Sequence, residues 1–106
     1  MENAGPEDFL CDFCHNHWTQ DRPMVEGHRG SLICGKCLSV AYREVVLAGG
    51  GVGPESGVVC ALCLQTNPTR YWQSPLDERI VGCMECLKRS AKMLAKDPES
   101  GWVLPE

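Results

Sequence analysis

The chain has 106 residues, 43% of them hydrophobic and 23% charged, and a formal net charge of -4. That length sits in the one-domain range, and the acidity argues against phosphate backbones as partners. No run approaches the eighteen or so consecutive apolar residues that a membrane span needs. The acidic start lacks the basic-then-apolar pattern of a secretory signal, so a soluble, cytoplasmic protein with no membrane partner is expected.

In chain order, residues 1-8 read as a disordered acidic lead. A first unit spans 9-48 and opens with Cys11, Asp12, Phe13 and Cys14. After a polar stretch to Arg22, residues 23-26 and 31-33 read as two strands joined by a turn holding Gly27 and Gly30. Cys34 and Cys37 then open a helix. Along it Leu38, Ala41, Tyr42, Val45 and Val46 recur at helical spacing, and Gly49 to Gly51 stop it. Residues 49-57 hold five glycines and read as a flexible linker.

A second unit spans 58-97. Cys60 and Cys63 open it. Residues 70-73 and 79-82 flank Ser74 to Asp77 as a second hairpin. Cys83 and Cys86 open a second helix whose stripe is Met84, Leu87, Ala91 and Leu94. Asp97 before Pro98 ends that helix, because the residue before proline avoids helical geometry. A tail, 98-106, carries Trp102.

The eight cysteines therefore form four Cys-x-x-Cys pairs, with nineteen residues between Cys14 and Cys34 and again between Cys63 and Cys83. One unit is written twice, 49 residues apart. Two thiolates at that spacing grip one face of a metal ion, and a second pair completes a tetrahedron. A unit of about forty residues is too small to fold on a hydrophobic core alone, so a staple is required. The pair spacing favours zinc over disulfides, and two structural Zn2+ ions are expected. Each second pair sits at a helix start, where free backbone N-H groups and the helix dipole stabilise thiolate charge.

The predicted fold is small α+β and metal-stabilised. Knuckle, β-hairpin, knuckle and α-helix in that order describe a treble-clef zinc finger, here twice in tandem and packed as a pseudo-dimer. Cys11-Asp-Phe-Cys14, Val25-Glu-Gly27, Leu32-Ile-Cys34, Cys37-Leu38 and the apolar helix beyond resemble the four-cysteine zinc-binding domain of the ClpX unfoldase. The resemblance covers about forty residues. The second unit keeps the cysteine spacing but has no equivalent of Gly27, and Gly82 stands where the family has an apolar residue. The resemblance implies Cys11, Cys14, Cys34 and Cys37 as one site and Cys60, Cys63, Cys83 and Cys86 as the other. It also implies dimerisation, within the chain or as a homo-oligomer, and docking of adaptor proteins, substrates or Clp-type machinery. The AAA+ ATPase of that family has no counterpart in this sequence, and no enzymatic activity is expected.

Other features carry less. Gly30 to Lys36 nearly spells a P-loop but has Cys37 where Ser or Thr should hold magnesium. His15, Asn16 and His17 spell a nuclease name only by chance adjacency, and His15, His17 and His28 read as loop histidines beside sites already filled by sulfur. Redox pairs fit four matched pairs less well, and rubredoxin-like iron sites, which use the same ligands, favour a glycine shortly after each knuckle that is missing here. Lys88, Lys92 and Lys96 form a cationic stripe with Arg89, read as solvated helix surface or a docking strip. Trp18, Tyr42, Val45, Val46, Trp72 and Leu94 are candidate partner-binding residues, and the apolar face of the first helix exceeds what its unit can bury. A nucleic-acid-binding zinc finger is the alternative function, disfavoured by the net charge.

Overall fold

The computed structural model describes residues 9-19, 22-27, 30-53, 57-64 and 70-105. The expected lead 1-8, His28 and linker residues 54-56 lie outside them. Among the described residues no helix is long and apolar enough to cross a membrane.

Each repeat opens on a tight knuckle. His15 N-H donates to the Cys11 carbonyl at 2.8 Å, and Leu64 N-H does the same to Cys60 at 2.8 Å. The chain can turn that sharply only through the left-handed region, where His15 has φ 63° and Leu64 φ 62°. The first knuckle is reinforced by Cys11 N-H on the Asn16 carbonyl and by a bridge between Leu10 and His17.

The hairpins follow. Strands β1 (Met24–Glu26) and β2 (Leu32–Cys34) pair antiparallel, with Met24 opposite Cys34. Strands β3 (Tyr71–Gln73) and β4 (Val81–Cys83) pair likewise, with Tyr71 opposite Cys83. β2 and β4 occupy equivalent places in the repeat, but β3 starts two residues earlier than β1 does. The second hairpin accordingly has the longer turn, 74-80 against 27-31, and the shorter approach from its knuckle. Equal cysteine spacing thus conceals unequal hairpins. Each knuckle is tied to its own hairpin by an equivalent bond, Asp12 N-H to Leu32 O at 2.9 Å and Ala61 N-H to Val81 O at 2.8 Å.

Helices α1 (Gly35–Ala41) and α2 (Met84–Lys96) start directly after Cys34 and Cys83. The periodicity predicts a single α-helix as far as Ala48. Instead α1 passes into a π-helical segment, Tyr42–Leu47, closed by Ala48 N-H on the Arg43 carbonyl at 2.9 Å. The wider turn leaves Val45 buried and Tyr42 and Val46 half-buried, so the apolar stripe is narrower than the α-helical spacing implied.

One core serves both repeats. Phe13, Ile33, Leu38 and Val45 from the first join Leu62, Trp72, Leu87 and Leu94 from the second in one buried cluster. Helix α2 packs on α1, on the π-helical segment and on β1, and β3 also meets the π-helical segment. The apolar face of the first helix is covered within the chain only in part: Val45 is buried and Tyr42 and Val46 half-buried, while Leu47 stays exposed. Gly82 explains itself in this setting. A Cβ there would stand 3.3 Å from Leu62 Cδ1 and 3.4 Å from Phe13 Cζ. The space of the missing side chain is filled by the two knuckle residues, one from each repeat.

The linker departs from a free tether over 49-53. Val52 pairs with Tyr71 through two backbone bonds of 2.9 Å, extending the second hairpin. Arg70 donates to the carbonyls of Gly49 and Gly50. The tail packs back onto α1: Trp102 Nε1 donates to Gly35 O and to Ser39 Oγ, both at 2.9 Å. A Cβ on Gly35 would stand 2.8 Å from Trp102 Cδ1, so the glycine admits the indole.

Candidate metal centres

The fold brings the eight thiols into two groups, Cys11, Cys14, Cys34 and Cys37, and Cys60, Cys63, Cys83 and Cys86. Within each group all sulfurs lie within 4.8 Å of one another. Individual separations are 3.9 Å for Cys11 to Cys37 and 3.6 Å for Cys14 to Cys34. In the second group they are 3.9 Å for Cys60 to Cys86 and 3.8 Å for Cys63 to Cys83. A tetrahedron with metal-sulfur bonds of about 2.3 Å has edges of about 3.8 Å, whereas a disulfide needs about 2.05 Å. The spacing is that of ligands around a common centre, and all eight cysteines are free thiols. Each cluster could hold a metal ion, and four soft sulfurs suit zinc.

Backbone N-H groups already point at these sulfurs. Phe13 N-H and Cys34 N-H both donate to Cys11 Sγ at 3.3 Å. The second cluster repeats this on Cys60 Sγ, from Leu62 N-H at 3.3 Å and Cys83 N-H at 3.2 Å. At the start of α1, Cys37 N-H donates to Cys34 Sγ at 3.5 Å. Side chains add to the first cluster: Asn16 Nδ2 donates to Cys14 Sγ at 3.2 Å, and Arg22 approaches Cys34 Sγ at 3.9 Å. These donors stabilise thiolate, the ligating form.

With protons alone available, four sulfurs this close cannot all ionise. Hydrogen bonding from Cys11 draws the Cys34 thiol well below its ordinary range. The same contact pushes Cys11 up to about 11, and Cys37 is pushed up by Cys11 and Cys34. In the second cluster Cys60 is drawn down by Cys83, Cys83 is pushed up to about 11 by Cys60, and Cys86 is pushed up by Cys60 and Cys83. In each cluster one thiol is drawn down and two are pushed up, because closely spaced sulfurs share protons and cannot all carry charge. Each cluster shares its charge as a unit. A divalent ion would remove the difference by ionising all four sulfurs.

The other sequence candidates are distributed unevenly. His15 and His17 are exposed and belong to neither cluster. Trp18, Tyr42 and Val46 are half-buried. Val45, Trp72 and Leu94 are 1%, 7% and 3% exposed, so they are core and not partner-facing surface. Trp72 stacks on Phe13, and its Nε1 donates to Glu44 Oε2 at 3.1 Å, across the repeats. Sequence reading missed Asn16 and Arg22 beside the sulfurs, because nothing in their spacing marks them. It also missed Ser74, buried and donating from Oγ to the Phe13 carbonyl at 2.6 Å.

Comparison with protein-family models, with curated proteins and with solved structures finds no match to this chain.

Proposed function

We propose that this chain is a structural-zinc module for protein-protein interaction, built as two treble-clef fingers that form a pseudo-dimer within one chain. The observation that carries the reading is the pair of four-sulfur clusters sharing one core. Four protein sulfurs complete a tetrahedron and leave no position for substrate or water, which is the pattern of a structural site. Cys11, Cys14, Cys34 and Cys37 hold one ion, and Cys60, Cys63, Cys83 and Cys86 the other. The metal supplies shape and folding free energy, on the order of 10 kcal/mol per site.

The ClpX-type reading rests on the residues quoted above and on the way the repeats interlock. The first knuckle reaches the second hairpin through Phe13, Trp72, Gly82 and Ser74. The second knuckle reaches the first hairpin, where a Cβ on Gly27 would stand 2.7 Å from the Leu62 carbonyl. Such reciprocal packing is what a two-chain pair would need, here supplied by duplication. An adaptor, a substrate or a Clp-type unfoldase is the partner class.

Two measurements test this. Native mass spectrometry of fresh, reduced protein should find two zinc ions per chain. Titration of the zinc-loaded chain with a Clp-type unfoldase should show binding that chelation abolishes. Salt-sensitive retention on DNA with no binding to protein would replace this reading with a nucleic-acid one.

A further inference from the structure

We infer that the solvent face of α2 is a docking strip for an acidic segment of a partner protein. This rests on the interaction reading above and adds a place and a chemistry to it. Four of the ten Lys and Arg residues of the chain fall on this one helix: Lys88, Arg89, Lys92 and Lys96. All four are exposed, and Met93, 54% exposed, lies among them. Among the described residues none of the four is ion-paired; the pair formed is Arg79 with Asp77, on the second hairpin turn.

The fold itself does not call for this stripe. Lysines four residues apart repel across one helical turn. Lys96 in the last turn complements the helix dipole, whereas Lys88 and Arg89 lie beyond the first turn, where the dipole no longer acts, and exposed Glu85 is the acidic residue one turn before them. Helix α2 is held by its opposite face, through Cys86, Leu87, Ser90, Ala91 and Leu94. The shared scaffold does not require it either. The equivalent places on the first repeat are Ser39, Val40, Arg43 and Leu47.

The patch favours a short acidic peptide over nucleic acid. Lys88 to Lys96 spans about 12 Å of helix. Beyond it the chain is more negative than its net charge of -4, and each loaded cluster adds about -2. A phosphate backbone would run off the stripe into that field. An acidic segment with one apolar residue over Met93 fits within it.

The test is an amide NMR titration of the zinc-loaded full chain. The probes are a short Glu-rich peptide bearing one Leu, the same peptide with Gln for Glu, and a short DNA duplex. The Glu peptide should shift the amides of Lys88, Arg89, Lys92, Met93 and Lys96, and the Gln peptide should not. Lys88→Glu with Lys92→Glu should weaken that binding roughly ten-fold, with zinc content and helical signal unchanged because both side chains are exposed. Shifts confined to the concave surface that Arg22, Lys36, Val40 and Pro75 line together, away from α2, would overturn the inference and leave the interaction reading standing. No shift by any probe would overturn it as well. Stronger shifts of the same amides by DNA would overturn both.

Discussion

The Phe13 ring stacks on Trp72, with centroids 5.6 Å apart and planes 27° from parallel. One residue belongs to the first knuckle and the other to the second hairpin. The contact therefore joins two four-sulfur clusters that are separate in sequence, and it links the packing of one repeat to that of the other.

Truncating that contact should be costly to both halves. Phe13 is fully buried, and Phe13→Ala should cost about 3-5 kcal/mol through lost transfer and a residual cavity. Denaturant melts of the zinc-loaded protein should show one cooperative transition in the parent and a single earlier one in the variant. Two separate transitions in the parent would contradict a shared core.

Filling the Gly82 gap should be equally informative. Phe13 Cζ, Leu62 Cδ1 and Leu87 Cδ2 stand 3.3-3.6 Å from where its Cβ would be. Gly82→Ala asks for shifts of a few tenths of an ångström, and Gly82→Val should destabilise by about 1-3 kcal/mol through overpacking. Adding Phe13→Leu to Gly82→Val should recover part of that loss. Strictly additive losses in this double variant would refute the side-chain exchange inferred between the two positions.

Metal loading should release protons and strengthen with pH. The metal-free clusters keep Cys11 and Cys83 protonated at neutral pH, since both stand at about 11. Cys37 and Cys86 are pushed in the same direction. Each such thiol must lose its proton to ligate, so zinc affinity rises as pH rises and falls in acid. Zinc titration in weakly buffered solution should release at least the two protons per ion that these pairs hold. Cys37→Ala should abolish binding at the first cluster and, through the shared core, lower helical content in both repeats. Retention of two ions and full helical signal by that variant would disprove the ligand assignment.

Relief of strain at the knuckles should stabilise the protein. His15 and Leu64 hold φ near 63° and 62°, a conformation that costs a residue with a side chain about 1 kcal/mol. His15→Gly and Leu64→Gly should each raise stability by up to about 1 kcal/mol in chemical denaturation. A loss of stability would show that the side chains contribute more than the strain removes.

Much of the architecture was legible before any coordinates. The cysteine spacing marks two repeats, the turns with Gly27 and Gly30 and with Ser74 to Asp77 mark the hairpins, and apolar periodicity marks both helices. The turn and helix signals are local, carried by residues within a few turns of chain, and the repeat is carried by cysteine intervals that can be counted without knowing the fold. The π-helical segment was not legible, because Tyr42, Val45 and Val46 fit an α-helical stripe equally well. Nor was the pairing of Val52 with Tyr71, since a glycine-rich stretch reads as a tether until a strand lies beside it. Gly82 looked like a lapse from a pattern and is the site where Phe13 and Leu62 meet.

By itself the sequence determined that eight thiols stand in two equivalent sets, each beside a helix start, because ligand spacing and helix initiation are short-range properties. Only the tertiary structure decided that Val45, Trp72 and Leu94 are interior and that the cationic face of α2 remains outside. That division depends on two half-sized cores closing on each other, and no stretch of forty residues carries enough apolar volume to reveal it.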